Sequence, residues 1–245
     1  MSARFYAPDV QSEGELATLS PEEAQHLARV LRLSAGDRIR VFNGRGGEFD
    51  AVVEHVARDE AQVRVGSRRA AASEPRVAVT LAQAILKGDK MDQVVRDAVM
   101  IGVAAIQPVV TARTEVSLGA IERSGRRDRW TRIAVSSAKQ CGRATVPPVL
   151  APTTFERLMA TASGDAVLML VEPGSRQDAL TMGSLQHDPP AAATIVIGPE
   201  GGWSDDEVQI GGAGSRLVTL GERTLRADAM ALVAMAALFT AWKEF

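Results

Sequence analysis

From Val77 to Phe245, apolar runs with strand character alternate with amphipathic helical runs, and this alternation constrains the fold most tightly. Val77–Leu86, Ala104–Val110, Ala166–Val171, Thr194–Ile197 and Leu217–Leu220 read as strands. Lys90–Ile101, Arg126–Gln140, Phe155–Thr161, Ser204–Ile210 and Arg226–Lys243 read as helices. Met91, Val94, Val95 and Ala98 share one helical face, and Trp130, Ile133, Ala134 and Ala138 another. Ser204 and Glu207 have the spacing of a capping box. Strands that alternate with helices build a mostly parallel sheet covered on both faces.

The first seventy residues follow another rule. Ser20-Pro21-Glu22-Glu23 opens a helix, with Ala24, Leu27, Ala28 and Leu31 as its apolar stripe. Arg38–Phe42, Glu48–Val56 and Ala61–Val65 alternate apolar and polar residues as half-buried strands do. Asn43–Gly47 joins two of them as a hairpin loop. Short strands with one helix predict a compact barrel, and the small, polar stretch 66–76 suits a linker. The expected domains are residues 1–72 and 73–245.

Composition narrows the class. With 46% apolar and 24% charged residues, the chain is globular in character. Its net charge of −2 is not that of a basic nucleic-acid protein. The charge is unevenly spread, however. Residues 76–150 carry 12 basic and 6 acidic side chains, against 6 and 12 in residues 151–245. Arg123, Arg126, Arg127, Arg129, Arg132, Lys139 and Arg143 form the dense part, either a solvated helix face or a phosphate-binding one. Cys141 is the only cysteine, which excludes an intrachain disulfide, and His26, His55 and His187 lack metal-ligand spacing. No signal-peptide core opens the chain, and the longest apolar run, Ala229–Trp242, falls short of the roughly 20 residues that span a bilayer. A soluble, cytoplasmic, metal-free protein is expected. The apolar last helix, with Met230, Leu232, Val233, Met235, Leu238 and Phe239, predicts burial on several sides and hence a homodimer.

Three strand ends lead into loops of small or special residues: Leu170-Val171-Glu172-Pro173-Gly174, Gly198-Pro199-Glu200-Gly201-Gly202 and Leu220-Gly221-Glu222-Arg223-Thr224-Leu225. Ligands of open α/β sheets bind beyond such ends. A P-loop, a dinucleotide fingerprint and a hydrolase nucleophile elbow are all missing from the sequence.

Several motifs together resemble one family. They are Gln25-His26-Leu27 with Val30-Leu31-Arg32 and Gly36-Asp37, then Lys90-Met91, Gly102-Val103 and Pro108. Gln140-Cys141-Gly142-Arg143 with Val146-Pro147, Ile197-Gly198-Pro199-Glu200-Gly201-Gly202, and Leu220-Gly221 with Leu225-Arg226 complete the set. Over nearly its whole length the chain resembles SPOUT-class methyltransferases, and within them the bacterial family that methylates uridine N3 in 16S ribosomal RNA. It departs from the usual pattern at Met100-Ile101, Lys139 and Asp228-Ala229.

The resemblance implies a PUA-like RNA-binding barrel over 1–72 and an α/β trefoil-knot methyltransferase domain over 73–245. It implies S-adenosylmethionine as methyl donor, no metal, and a homodimer through the C-terminal helix acting on 16S ribosomal RNA of the small subunit. The expected cofactor residues are Leu170, Val171, Gly198, Pro199, Glu200, Gly201, Gly202, Leu220, Gly221, Thr224 and Leu225. Leu220 and Leu225 are expected to wall the adenine, and Gly201 to lie against the ligand. Arg143 and Arg226 are the catalytic candidates, since an arginine stabilises the charge of a deprotonated uracil but is a poor base. Glu200 and Asp228 remain open as bases. Arg4, Arg29, Arg32, Arg126, Arg127 and Gln140 are the expected RNA contacts. A SPOUT enzyme acting on transfer RNA, a catalytically impaired RNA-binding homologue and a phosphate-binding α/β enzyme are the alternatives.

Overall fold

A computed structural model describes residues 3–57, 59–162, 166–186 and 189–244, so His187 lies outside the described residues. The chain forms two compact units, residues 1–74 with 135–146, and residues 75–134 with 147–245.

The first unit holds β1 (Arg4–Tyr6), β2 (Leu16–Thr18), α1 (Pro21–Gln25), β3 (Arg38–Phe42), β4 (Glu48–Val56) and β5 (Ala61–Arg69). Its sheet has the order β1-β3-β4-β5-β2, antiparallel except for β1 with β3. Phe5, Leu27, Val41, Phe49 and Val63 are in its core. The hairpin loop is held by Asn43, whose Oδ1 accepts from the amides of Arg45 and Gly47.

The helix begins as expected, with Pro21 in its first turn and the Ser20 hydroxyl accepting from the Glu23 amide. It then widens into a π-helix over His26–Val30, where the Leu31 amide reaches back to the His26 carbonyl. The wider turn breaks the 3.6-residue period. Ala24 and Leu27 are therefore buried, but Leu31, the last member of the expected stripe, is 40% exposed. Arg32 ends the segment at a φ of 55°.

The second unit holds β6 (Ala78–Ala84), α2 (Lys90–Ile101), β7 (Ala105–Val110), α3 (Leu118–Arg123), α4 (Arg126–Cys141), β8 (Thr153–Thr154), α5 (Phe155–Thr161) and β9 (Ala166–Leu170). It continues with β10 (Leu180–Thr181), β11 (Ala192–Ile197), α6 (Asp205–Gly214), β12 (Arg216–Thr219) and α7 (Ala227–Ala241). Residues 135–141 of α4 belong to the first unit. The sheet order is β10-β12-β9-β11-β6-β7-β8, and every pair is parallel. Leu81, Ile106, Leu168 and Ile195 are buried within it. Gly211 of α6 rests on Met169 of β9 so closely that a Cβ there would collide with Sδ. Among the described residues no helix is long and apolar enough to cross a membrane.

Helix α7 packs on α2 and β11. Its Leu238 and Phe239 were expected at a surface between subunits, but both are 0% exposed within one chain. Its exposed large apolar residues are Leu232 and Val233, at 39% and 41%. Phe239→Asp should therefore disrupt the core. The loss of packing and the buried charge together cost about 4 kcal/mol, which a urea titration will show as a large fall in midpoint.

Candidate functional site

The parallel sheet brings the carboxyl ends of β9 and β11 side by side, since Met169 is in register with Val196. Beyond them lies a cavity of about 370 Å3, bounded on the other side by the start of α7. Of the residues expected there, Leu170, Val171, Gly198, Pro199, Glu200, Gly202, Thr224, Leu225 and Arg226 line it. Gly201, Leu220 and Gly221 are not among its lining residues. A Cβ on Gly201 would instead meet Arg113 Cβ at 3.3 Å, and the Gly201 carbonyl accepts from Arg113 Nη1 at 2.8 Å. Gly201 thus faces the turn that follows β7 rather than the cavity.

Lys90, Glu172, Pro173, Ile197, Trp203, Ala227 and Met230 also line the cavity and were not picked out as site residues. Adjacency could have found some of them: Trp203 follows the glycine block, and Met230 lies one helical turn beyond Arg226. Trp203 fixes the geometry. Its Nε1 donates to the Leu170 carbonyl at 2.8 Å, its ring tilts against Phe155 at 5.1 Å, and a Cβ on Gly198 would come within 3.0 Å of it. The turn closes with the Gly202 amide donating to the Pro199 carbonyl, Gly202 having a φ of 70°.

The polar wall is paired. Glu200 Oε1 accepts from Lys90 Nζ at 2.8 Å and from the Lys87 amide at 3.2 Å. Burial pushes the Glu200 carboxyl up, but the hydrogen bonds from Lys90 and from main-chain amides, with the Lys90 charge, bring it below the ordinary range. It stays ionised and is a weak proton acceptor. Arg226 sits at the N-cap of α7, with Nε and Nη2 donating to the two Asp228 carboxylate oxygens at 3.2 and 3.1 Å. Among the described residues no group of His, Cys, Asp or Glu is placed to hold a metal ion.

An RNA methyltransferase domain family matches residues 73–239, and an RNA methyltransferase PUA domain family matches residues 19–66. The chain belongs to the RNA methyltransferase family. A Ribosomal RNA small subunit methyltransferase E from Synechocystis is 34% identical over 239 residues, 96% of this chain and 77% of that protein. The protein of the same name from Mycobacterium bovis is 31% identical, covering 96% of this chain and 90% of its own. Among solved structures, the Neisseria gonorrhoeae enzyme of that name, bound to S-adenosyl methionine, matches with a TM-score of 0.88 and 33% identity, over 99% of this chain and 98% of that one.

In this methyltransferase the other predicted residues divide between the two units. Arg4 was expected to touch RNA, yet its guanidinium pairs with Glu48 and donates to the carbonyls of Ala138, Lys139 and Arg143. Three of its contacts tie the end of α4 and the following turn to β1, so its charge is used inside the first unit. Arg143, a catalytic candidate, is buried in the same unit and pairs with Glu74. Arg226 belongs to the second unit. Arg29, Arg32 and Gln140 are exposed in the first unit, Arg29 with Asp59 at 3.8 Å. Arg126 and Arg127 are exposed in the second, where Arg127 Nε donates to the Val149 carbonyl. His26 Nδ1 lies 3.0 Å from Lys139 Nζ; burial and then the Lys139 charge lower its pKa, so it is a packed residue of the first unit.

The two neighbouring glycines should respond differently. Gly202→Ala forces a side chain into the left-handed region and should cost about 1 kcal/mol or more. Gly201→Ala has no such backbone demand and should cost under about 0.5 kcal/mol. Urea denaturation of both variants checks the difference.

Proposed function

We propose that this chain methylates N3 of a uridine in 16S ribosomal RNA, using S-adenosylmethionine, on the small ribosomal subunit in the cytoplasm. The observation that carries the reading is the cavity at the ends of β9 and β11, with Arg226 in its wall. The named activities of the Synechocystis, Mycobacterium and Neisseria relatives support it. A trefoil knot formed by the chain around this cavity, and domains meeting near residue 72, belong to the same proposal.

The cavity suits the cofactor in kind. Its volume lies in the range of small-molecule sites, and Leu170, Val171, Ile197, Leu225 and Met230 give it apolar walls. Main-chain groups of the 198–202 turn and Thr224 offer edge contacts, and the charged mouth suits an amino-acid end. When bound, S-adenosylmethionine supplies an electrophilic methyl group for in-line displacement.

The protein's part is orientation and charge. Uridine N3 carries a proton, and its loss leaves negative charge shared with the two flanking carbonyl oxygens. Arg226, held by Asp228 and 73% exposed on its side chain, offers donors to that charge. Asp228 holds the guanidinium and is engaged in doing so, which makes it a positioning residue rather than a base. Glu200 is similarly committed to Lys90 and the Lys87 amide. Arg29, Arg32, Arg126, Arg127 and Gln140 are the proposed RNA contacts.

Calorimetry with S-adenosylmethionine and mapping of the methylated position on methyl-deficient small subunits test the reading as a whole. Arg226→Ala should lower kcat about 100-fold, the scale of losing one donor to a developing anion, while S-adenosylmethionine affinity stays within about threefold. An unchanged kcat would remove Arg226 from the chemistry.

The active form is proposed to be a homodimer through the outward face of α7. Leu232 and Val233 leave apolar area there that a second copy would cover. Val233→Asp should yield a folded monomer by light scattering. A wild type that is monomeric at micromolar concentration would refute the dimer.

A further inference from the structure

A second, smaller cavity of about 80 Å3 opens beyond the carboxyl ends of β6 and β7, on the same edge of the sheet as the first. Lys87, Arg113, Glu115 and Arg126 face it, and so does Glu200. Glu200 lines both cavities, so one carboxylate forms the partition between them. Since β11 pairs with β6 and β6 with β7, the loops that build the two sites are neighbours by strand order alone.

The charges facing this cavity do not cancel. Lys87 pairs with Glu115 at 2.5 Å, and Glu200 is taken by Lys90 at 2.8 Å. Arg113 donates to a neutral group, the Gly201 carbonyl. Among the described residues neither Arg113 nor Arg126 forms an ion pair with a carboxylate, and both are exposed. Two arginines without a carboxylate partner thus line a cavity whose two carboxylates are already engaged. The volume is well below the roughly 300 Å3 of a small-molecule site, so a nucleoside does not fit, whereas a single phosphate group does. Guanidiniums offer phosphate paired donors in a fixed fork.

We propose that this cavity seats a backbone phosphate of the RNA, one next to the target nucleotide, and so sets which base reaches the first cavity. The inference rests on the RNA methyltransferase reading above and adds to it a phosphate seat made by Arg113 and Arg126. Glu200 separates the seat from the cofactor site, and Arg113 ties the seat to the 198–202 turn through Gly201. Occupation of the seat and positioning of the uridine are thereby coupled through one turn of chain.

The test uses the full-length protein with methyl-deficient small ribosomal subunits. Arg126→Ala removes one charge at an exposed position. Arg113→Gln removes the other while keeping a donor for the Gly201 carbonyl. Each should raise KM for the subunit about tenfold, the scale of a lost charge-assisted contact, and leave S-adenosylmethionine affinity by calorimetry unchanged. The slope of log KM against log salt should become shallower in each, with a combined loss of about 0.7 when both charges are removed, as for one phosphate contact on a single strand. If both variants keep the wild-type KM and salt slope, the cavity holds no phosphate and its arginines are merely solvated. If the wild type itself neither binds S-adenosylmethionine nor methylates the subunit, it is the underlying reading that fails.

Discussion

Parallel pairing of the seven strands in the second unit is the constraint on which the site depends. A parallel ladder sends every strand's carboxyl end to one edge, so loops far apart in sequence become neighbours in space. The pairing of β9 with β11 sets residues 171–173 beside residues 198–202, and the pairing of β12 with β9 carries the chain back towards α7. No side chain at the site could impose this arrangement. The apolar strand interiors impose it, because both faces of such a sheet must be covered.

Within that frame a few contacts decide the shape. Trp203 is the central one. Its indole satisfies the Leu170 carbonyl at the end of β9 and packs on Phe155, and the absence of a Cβ on Gly198 lets the ring approach the end of β11. One aromatic residue therefore ties two strand ends and their loops together. Gly211 does corresponding work in the same core cluster, letting α6 lie against Met169 and Phe155. Gly198 and Gly211 thus serve close packing of protein on protein.

Much of this was legible in the sequence, for identifiable reasons. Long periodic segments such as Lys90–Ile101 and the buried apolar strands announce themselves, because period and burial are properties of the residues themselves. The two-residue strands Thr153–Thr154 and Leu180–Thr181 are too short to carry a period and so leave no mark in the sequence. Leu31 was misplaced because a π-turn changes the phase of a helix, and nothing in the residue types marks it. At the candidate site, the motif residues Gly198, Pro199, Glu200 and Gly202 line the cavity. The orientation of Gly201 towards Arg113 depends on a backbone torsion that composition does not encode.

Charge shows the same limit most clearly. Counted along the chain, the middle third is a block of positive residues, yet several of these charges are already matched. Arg129 pairs with Asp92, Lys139 with Glu23 and Arg143 with Glu74, while Arg127 is bonded to a carbonyl. Each pair lowers the field available to an external anion, and only what remains can attract phosphate at range. Arg126 remains, at the first position of α4, and Arg113 remains in the turn that follows β7. A basic stretch in sequence therefore reduces, once folded, to a few cations at defined places. In the second unit, two of those places adjoin the loop that walls the cavity at the ends of β9 and β11.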